Sequence, residues 1–371
     1  MRINPFRLER YFAEYEFKSP HLLSSSDCES IAIETLLSYQ EGAKEQFLSM
    51  PMSYTQSPGS PTLRSEVSTL YTTASPEDIL VFSGAEEGIY CFMNSLLAPG
   101  DNIVVEKPCY QSLEEIAVSI GCSVTGWDLS FDGTGWDISI DALQSSIVPN
   151  TKAIVINNSN NPTGHLMDKR TLKAVADIAS DNKLWLFSDE VYRFLDHSPS
   201  KSIVPAADLY EKAVSLGVMS KSFGLPGLRI GWTATRDIEL TKKMAAYKDY
   251  TTICCSGPSE FLAEVALRNK QRILDRTIGL TLSNLSKVEN FFKRHSDLFE
   301  WARPDAGPIA YPMYLGGGTV SEFCKDIAEN AGVLLLPGTV YDTAETKRFR
   351  IGFGRSGMGP TIEAFENYLS E

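Results

Sequence analysis

From Asp78 onward the chain alternates between short apolar runs and stretches with helical spacing. Residues 79–82, 102–105, 123–127, 153–156, 184–187, 213–219 and 230–234 are apolar runs of strand length, and 86–97, 111–120 and 168–180 read as helices. Most of the strand runs are continuously apolar, as expected when both faces of a sheet are covered. Strand–helix alternation of this kind predicts an α/β fold, a mostly parallel sheet sandwiched by helices, with ligands bound beyond the carboxyl ends of the strands. Ahead of this region, residues 30–48 read as helical, 54–61 as a loop, and a helix starts near residue 62. After Ser256-Gly257-Pro258 the pattern changes. A long helical stretch runs to about residue 294, followed by short strands near 309–314 and 333–336 with a helix between, a strand at 348–352 and a last helix at 361–369. This is the pattern of a smaller α+β domain. The expected division is therefore an N-terminal segment (1–30) that returns to the small domain, a large domain (31–256), and a helical connection with the small domain (257–371).

Length favours two domains, since 371 residues exceed one small core. A net charge of −13 argues against nucleic-acid or anionic-membrane surfaces, which need basic patches. The first residues carry no apolar leader and no run is long enough to span a bilayer, so neither nucleic acid nor membrane is expected as a partner. Seven scattered cysteines without metal-type spacing read as reduced thiols in a cytoplasmic protein, and no metal site is expected. Gly352-Phe353-Gly354-Arg355-Ser356-Gly357 fits the GxGxxG spacing, but too little chain follows to build the unit that fingerprint requires. Gly316-Gly317-Gly318 lacks the Lys-Ser/Thr of a phosphate loop.

Candidate chemistry gathers at the strand ends. Lys221 directly follows the buried run 213–219, eight residues before Arg229 in Gly-Leu-Arg-Ile-Gly. A lysine there can form a Schiff base with a phosphorylated aldehyde, burial lowering its pKa, while the arginine clamps the phosphate. Ser83-Gly84-Ala85-Glu86 lies between a strand and a helix, where backbone N–H groups can approach a phosphate. Tyr110 follows another strand and can stack on a planar ring. Asn157 to Gly164 is rich in turn formers, and a cis bond at Asn161-Pro162 would aim Asn161 into a site. Asp189 closes an apolar strand, where a carboxylate needs a partner such as a protonated ring nitrogen. Tyr192, three residues on, can donate to that ring's oxygen. Each motif alone also fits a bland role: a surface lysine, an ion-paired arginine, a tight turn, a loop anchor.

Together these residues resemble the fold-type I pyridoxal-phosphate (PLP) enzymes of the class I/II aminotransferase family. The resemblance implies pyridoxal 5′-phosphate as cofactor, Lys221 as the Schiff-base lysine, and Asp189 and Tyr192 at the ring nitrogen and ring oxygen. It implies Asn161 shared between cofactor and substrate carboxylate, and Tyr110 as the stacking aromatic. Gly84, Ala85, Glu86 and Ser220 would line the phosphate site, with Arg229 on the phosphate and Arg350 on the substrate α-carboxylate. Tyr54, in Tyr-x4-Gly-x3-Leu-Arg, would reach the phosphate of a neighbouring subunit, so a homodimer is implied. The family often has Ser or Thr three residues before the lysine; Val218 stands there, which shifts phosphate binding toward Arg229, Ser220, Ser222 and Tyr54.

A finer resemblance, to capreomycidine-synthase-like enzymes, is carried by stretches around Glu9-Arg10-Tyr11, Ser24-Ser25-Ser26, residues 211–215, 221–232 and 249–252. It implies elimination and ring closure on a hydroxylated arginine instead of amino transfer to a 2-oxo acid. Glu9, Asp27 and Glu29, with Ser25 beside them, are expected to border the substrate side chain and to favour a basic amino acid. A non-catalytic PLP-binding regulatory protein would need a DNA-binding module, for which this sequence has no basic extension.

Overall fold

In the computed structural model, which describes residues 3–198, 201–341 and 347–370, the expected strands pair into one sheet. They are β1 (Ile79–Phe82), β2 (Asn102–Lys107), β3 (Ser123–Asp128), β4 (Thr151–Asn157), β5 (Trp185–Asp189), β6 (Ala213–Val218) and β7 (Gly231–Ala234). Their spatial order is β1-β7-β6-β5-β4-β2-β3. Strands β2 to β6 pair parallel to one another, and β7 is antiparallel to both of its neighbours.

The continuous apolar runs follow from burial on both faces. Ile103 and Val105 join Phe82, Phe187 and Leu216 against the helices Ala85–Leu96 and Ser112–Ile120. Val104, between them, points the other way, to Ile154, Ile156, Leu186 and the helix Lys169–Asp181. At the other edge Val81, Trp232 and Ala234 pack with the helices Pro61–Ser68 and Gly257–Arg268. Cutting any one of these leucines or isoleucines to alanine would cost about 2–5 kcal/mol.

Several boundaries differ from the sequence pattern for visible reasons. The stretch 30–48 is two helices, Ile33–Leu37 and Ala43–Ser49, because Gly42 turns between them with φ 72°. The long helical stretch divides at Asn269 into Gly257–Arg268 and Lys270–Arg294. The second of these helices places Ile273 and Leu274 in the core beside the sheet, and Leu285, Val288, Phe291 and Phe292 in a separate aromatic core. Phe299 is the hub of that core, with Phe292, Phe323, Phe349 and Phe365 all within 6.1 Å, centroid to centroid. The run 309–314 breaks at Tyr311-Pro312 into Ile309–Ala310 and Met313–Tyr314. The run 333–336 also divides: Val333–Leu334 pairs parallel with His21–Leu22, and Leu336–Pro337 pairs with Phe349–Gly352.

The first residues contain a helix, Arg7–Tyr15, that the pattern reading did not resolve. Beyond it the chain runs against Phe349–Gly352 and the loop after it. Gly352 N–H donates to Leu23 O at 2.8 Å, and Glu29 N–H to Gly354 O at 2.9 Å. A Cβ on Gly352 would fall 1.7 Å from Ser25 O, and one on Gly354 2.4 Å from Asp27 O. These glycines of the GxGxxG match thus serve close backbone approach. All seven cysteines are free. Among the described residues no helix is long and apolar enough to cross a membrane.

Candidate active site

The carboxyl ends of β1, β2, β4, β5 and β6 open into one cavity of about 430 Å³, bordered on the outer side by Arg7–Tyr15 and residues 25–27. Lys221 lies in the turn after β6, and its Nζ donates to Ser26 Oγ at 2.8 Å. Burial pulls the amine's pKa below its ordinary value, with Arg350 acting in the same sense and Asp27 and Asp189 opposing. Ser220, beside it, lines the same cavity, as does Val218.

Asn157 and Asp189 are register partners at the ends of β4 and β5. Asp189 is 4% exposed and accepts one hydrogen bond at Oδ1, from Val191 N–H at 3.2 Å. Burial pushes its carboxyl up to about 7, against the partial relief of that bond and of Lys221. Tyr192, 1% exposed, leaves its Oη without a hydrogen-bond partner among the described residues.

Arg350, from the middle of Phe349–Gly352, is also 1% exposed, and no carboxylate pairs with it among the described residues. It donates from Nη2 to Ser24 O at 2.7 Å, and from Nη1 to Asn161 Oδ1 at 3.0 Å and Tyr341 Oη at 2.7 Å. The Asn161–Pro162 bond is cis, and Asn161 lines the cavity.

The turn after β1 carries Gly84 with φ 91°, leading into Ala85–Leu96, whose N-terminus has no capping side chain. Gly231 packs against it so closely that a Cβ there would lie 2.7 Å from Gly84 C. Arg229 adopts the left-handed conformation, φ 51°, uncommon for a residue other than glycine. That bend brings its guanidinium over the turn: a Cβ on Gly84 would meet Arg229 Nη2 at 2.5 Å. Uncapped amides, a glycine and an arginine form a cradle for an anion. Glu86 turns aside and accepts from Ser112 Oγ at 2.9 Å, its carboxyl pushed up to about 7 by burial and by Glu9. Tyr110 lines the cavity with Phe6 against its ring at 5.1 Å, and its phenol is pushed up by burial, Glu86 and Glu9.

Three sequence expectations need correction. Ser222 is unavailable to a phosphate, because its hydroxyl donates to the backbone carbonyls of Val191 and Arg193. Asp27 is held by Arg355 in a two-pronged ion pair at 2.8 and 2.9 Å, so it is no free acid for a substrate. Glu29 faces away and accepts from Ser356 N–H and Oγ. Tyr54, expected at a neighbouring subunit's phosphate, is 91% exposed and does not line this chain's own cavity, as that expectation requires. The sequence reading gave no site role to Tyr341, Arg355 or Glu16, and it grouped Ser26 with the neighbouring serines without linking it to Lys221. Glu16 had a signal: Leu8, Tyr11, Phe12 and Tyr15 recur at helical spacing, which places it at the end of the helix they define. The other three contact the site only through long-range folding.

The residues fit pyridoxal 5′-phosphate. Asp189 is a buried carboxylate short of a cation, Tyr192 is a buried hydroxyl short of a partner, and the Gly84–Arg229 cradle suits a phosphate. All three face the cavity that holds Lys221.

Residues 39–359 match the family described as aminotransferase class I and II. The chain is 28% identical over 295 residues to capreomycidine synthase of Streptomyces vinaceus, spanning 80% of this chain and 75% of that protein. It is 26% identical over 365 residues to a probable aspartate aminotransferase of Methanocaldococcus jannaschii, spanning 93% and 95%. Among solved structures, a PLP-dependent aminotransferase from Streptococcus suis superposes with a TM-score of 0.93 at 29% identity, over 100% of this chain and 98% of that one.

Proposed function

The chain belongs to the class I and II aminotransferases, PLP-dependent enzymes, and on that premise we propose that it acts at the α-carbon of an amino acid with Lys221 as the covalent attachment point of the cofactor. The observation that carries this is the convergence of Lys221, Asp189, Tyr192, Asn161, Arg229 and Arg350 on one cavity. When bound, the cofactor supplies an aldehyde that condenses with amines and a protonated ring that accepts electrons from the α-carbon. Asp189 keeps the ring nitrogen protonated, and Tyr192 donates to the ring oxygen. Tyr110 would pack on the ring, and Ser220, Arg229 and the amides of Gly84 and Ala85 would hold the phosphate. Arg350 and Asn161 orient the substrate by its carboxylate. Lys221, its amine lowered by burial, moves the proton at the α-carbon.

Amino transfer, which uses a 2-oxo acid as second substrate, is the leading reading. One observation favours elimination and cyclisation on an arginine-like substrate as the second. Once Asp27 is paired, the acids left on the cavity wall are Glu9, Glu16 and Glu86 on the outer side, plus Asp189. Burial raises the carboxyls of Glu16 and Glu86, and Glu9 raises both further, with Arg355 opposing at Glu16 and Ser112 and Arg229 opposing at Glu86. Like charges crowded in this way suit a cationic side chain. Titration of the cofactor spectrum with arginine, hydroxyarginine, lysine, glutamate and aspartate, with product masses, tests both readings. A keto acid and an aminated cofactor are expected for transfer, and loss of water with ring closure for the second reading. Tighter binding of glutamate or aspartate than of arginine would remove the basic-substrate preference.

A homodimer is part of the proposal. Met52, Tyr54, Tyr250 and Ile253 are exposed by 86, 91, 93 and 55%, respectively. Thr55 Oγ1 donates to Cys255 O at 2.9 Å, which brings their two segments together. A second copy seated there would bring Tyr54 to the neighbouring phosphate site. Sedimentation at micromolar concentration is expected to give twice the chain mass; a fully active monomer would overturn this. The free cysteines support a reducing, cytoplasmic setting. The division at residues 31–256 and 257–371 belongs to the same reading, supported by the separate aromatic core around Phe299.

A further inference from the structure

Arg350 is a buried cation, so the side of its guanidinium away from any ligand must be met by acceptors. Ser24 O is a backbone group, and Asn161 Oδ1 belongs to a residue that lines the cavity itself. The third acceptor, Tyr341 Oη, stands behind both. Tyr341 is 3% exposed, T-shaped to Tyr311 at 6.0 Å, and packed with Leu8, Leu336 and Val340.

The hydroxyl closes a triangle. It accepts from Arg350 Nη1 at 2.7 Å and donates to Asn161 Oδ1 at 2.9 Å, while the same Nη1 donates to Asn161 Oδ1 at 3.0 Å. Arginine can only donate, so the single phenolic proton goes to the asparagine. Asn161 Oδ1 then carries two donors, which fixes the direction of the amide. Its Nδ2 is the end left for the cavity. Burial pushes the phenol up to about 12, so the proton stays in place at any working pH.

We propose that Tyr341 is a positioning residue, one that orients both the Arg350 guanidinium and the Asn161 amide for the substrate α-carboxylate. The proposal rests on the assignment of Arg350 to that carboxylate. Phenylalanine at 341 keeps the ring packing and removes only the oxygen and its proton. Arg350 then loses an acceptor, and the asparagine amide is free to turn over.

The test uses holoenzyme variants Tyr341→Phe and Arg350→Ala, titrated by cofactor absorbance with an amino acid substrate and with the matching amine that lacks the carboxylate. Tyr341→Phe should weaken the amino acid by roughly 10–100-fold, raise KM in proportion, and leave the amine's affinity unchanged. A purely structural role would weaken both ligands alike, and that result overturns the proposal. If Arg350→Ala discriminates against the amino acid and Tyr341→Phe does not, the positioning role alone fails. If Arg350→Ala weakens amino acid and amine equally, the carboxylate assignment fails and the proposal falls with it.

Discussion

Lys221→Ala is expected to abolish borohydride-stable attachment of the cofactor and to lower turnover by roughly 10³-fold or more, with the fold intact. Two functions are lost at once, since the same amine anchors the cofactor and moves the α-proton. The fold should survive because Lys221 contributes one hydrogen bond, to Ser26, and its burial penalises its own charge. A second buried lysine provides the control. Lys248 is 0% exposed, but its amine donates to Ser57 O and lies 6.0 Å from the Phe82 ring centre, outside the cavity lining. Peptide mapping after borohydride should place the cofactor mass on Lys221 and none on Lys248. Label on any other lysine, or a Lys221→Ala enzyme with near-normal turnover, would refute the assignment.

Asp189→Asn should separate binding from chemistry. The variant is expected to retain PLP, since the phosphate cradle and Lys221 are untouched, yet to lose about 10³-fold in α-proton exchange. An amide cannot hold the ring nitrogen protonated. Arg229→Ala should do the reverse, weakening cofactor retention by roughly 10–100-fold on dialysis.

A stability measurement gives Asp189→Asn a second, independent readout. In the cofactor-free protein the Asp189 carboxyl titrates near 7, against about 3.9 in an unfolded chain. A raised carboxyl favours the fold below the unfolded pKa, and that contribution is lost as pH rises through the folded value. By pH 8 the buried charge costs up to about 4 kcal/mol. Asparagine removes that cost, so the cofactor-free variant should melt above the cofactor-free parent at pH 8 and near it at pH 4. His165 and His197 are lowered in both proteins and cancel in the difference, whereas Glu86, Glu106 and Glu190, raised in the same sense as Asp189 and coupled to its charge, are eased by its removal and add to the gain at pH 8. With PLP bound the order should invert, because the ring cation then pairs with the carboxylate. A variant with near-normal turnover, or one no more stable than its parent at pH 8, would remove Asp189 from this role.

The central sheet was legible because six of its seven strands are runs buried almost throughout; the edge strand β3, with only Trp127 fully buried, was carried by its place in the alternation. Lys221, Asp189 and Asn161 could be found for the same reason: polar residues at the end of such runs have few structural uses. Interruptions were harder to read. Gly42, Asn269 and Pro312 each break an element, yet glycine and asparagine also occur inside helices, so the pattern alone did not place the breaks. Partnership was the least legible feature. Asp27, Glu29 and Ser222 have the composition of ligand groups, but each is occupied by a residue or carbonyl that only the folded chain brings near. Ser26 and Tyr341 failed in the opposite direction, as ordinary residues given importance by what they touch.

The contacts of residues 24–27 with residues 350–355 set an order of events during synthesis. Ser24 meets Arg350 across 326 positions of chain, and Asp27 meets Arg355 across 328. The β1–β7 sheet can be complete on the ribosome with Cys28 and Glu29 already held against Gly224, while residues 24–27, which lie against Arg350, Gly352 and Gly354, still lack that support for Ser26 beside Lys221. A nascent chain halted before residue 350 should therefore carry the phosphate cradle and the lysine but leave the mouth of the cavity open. Capture of cofactor by such a chain would be loose and reversible, and tight retention should arrive only with the last elements to emerge.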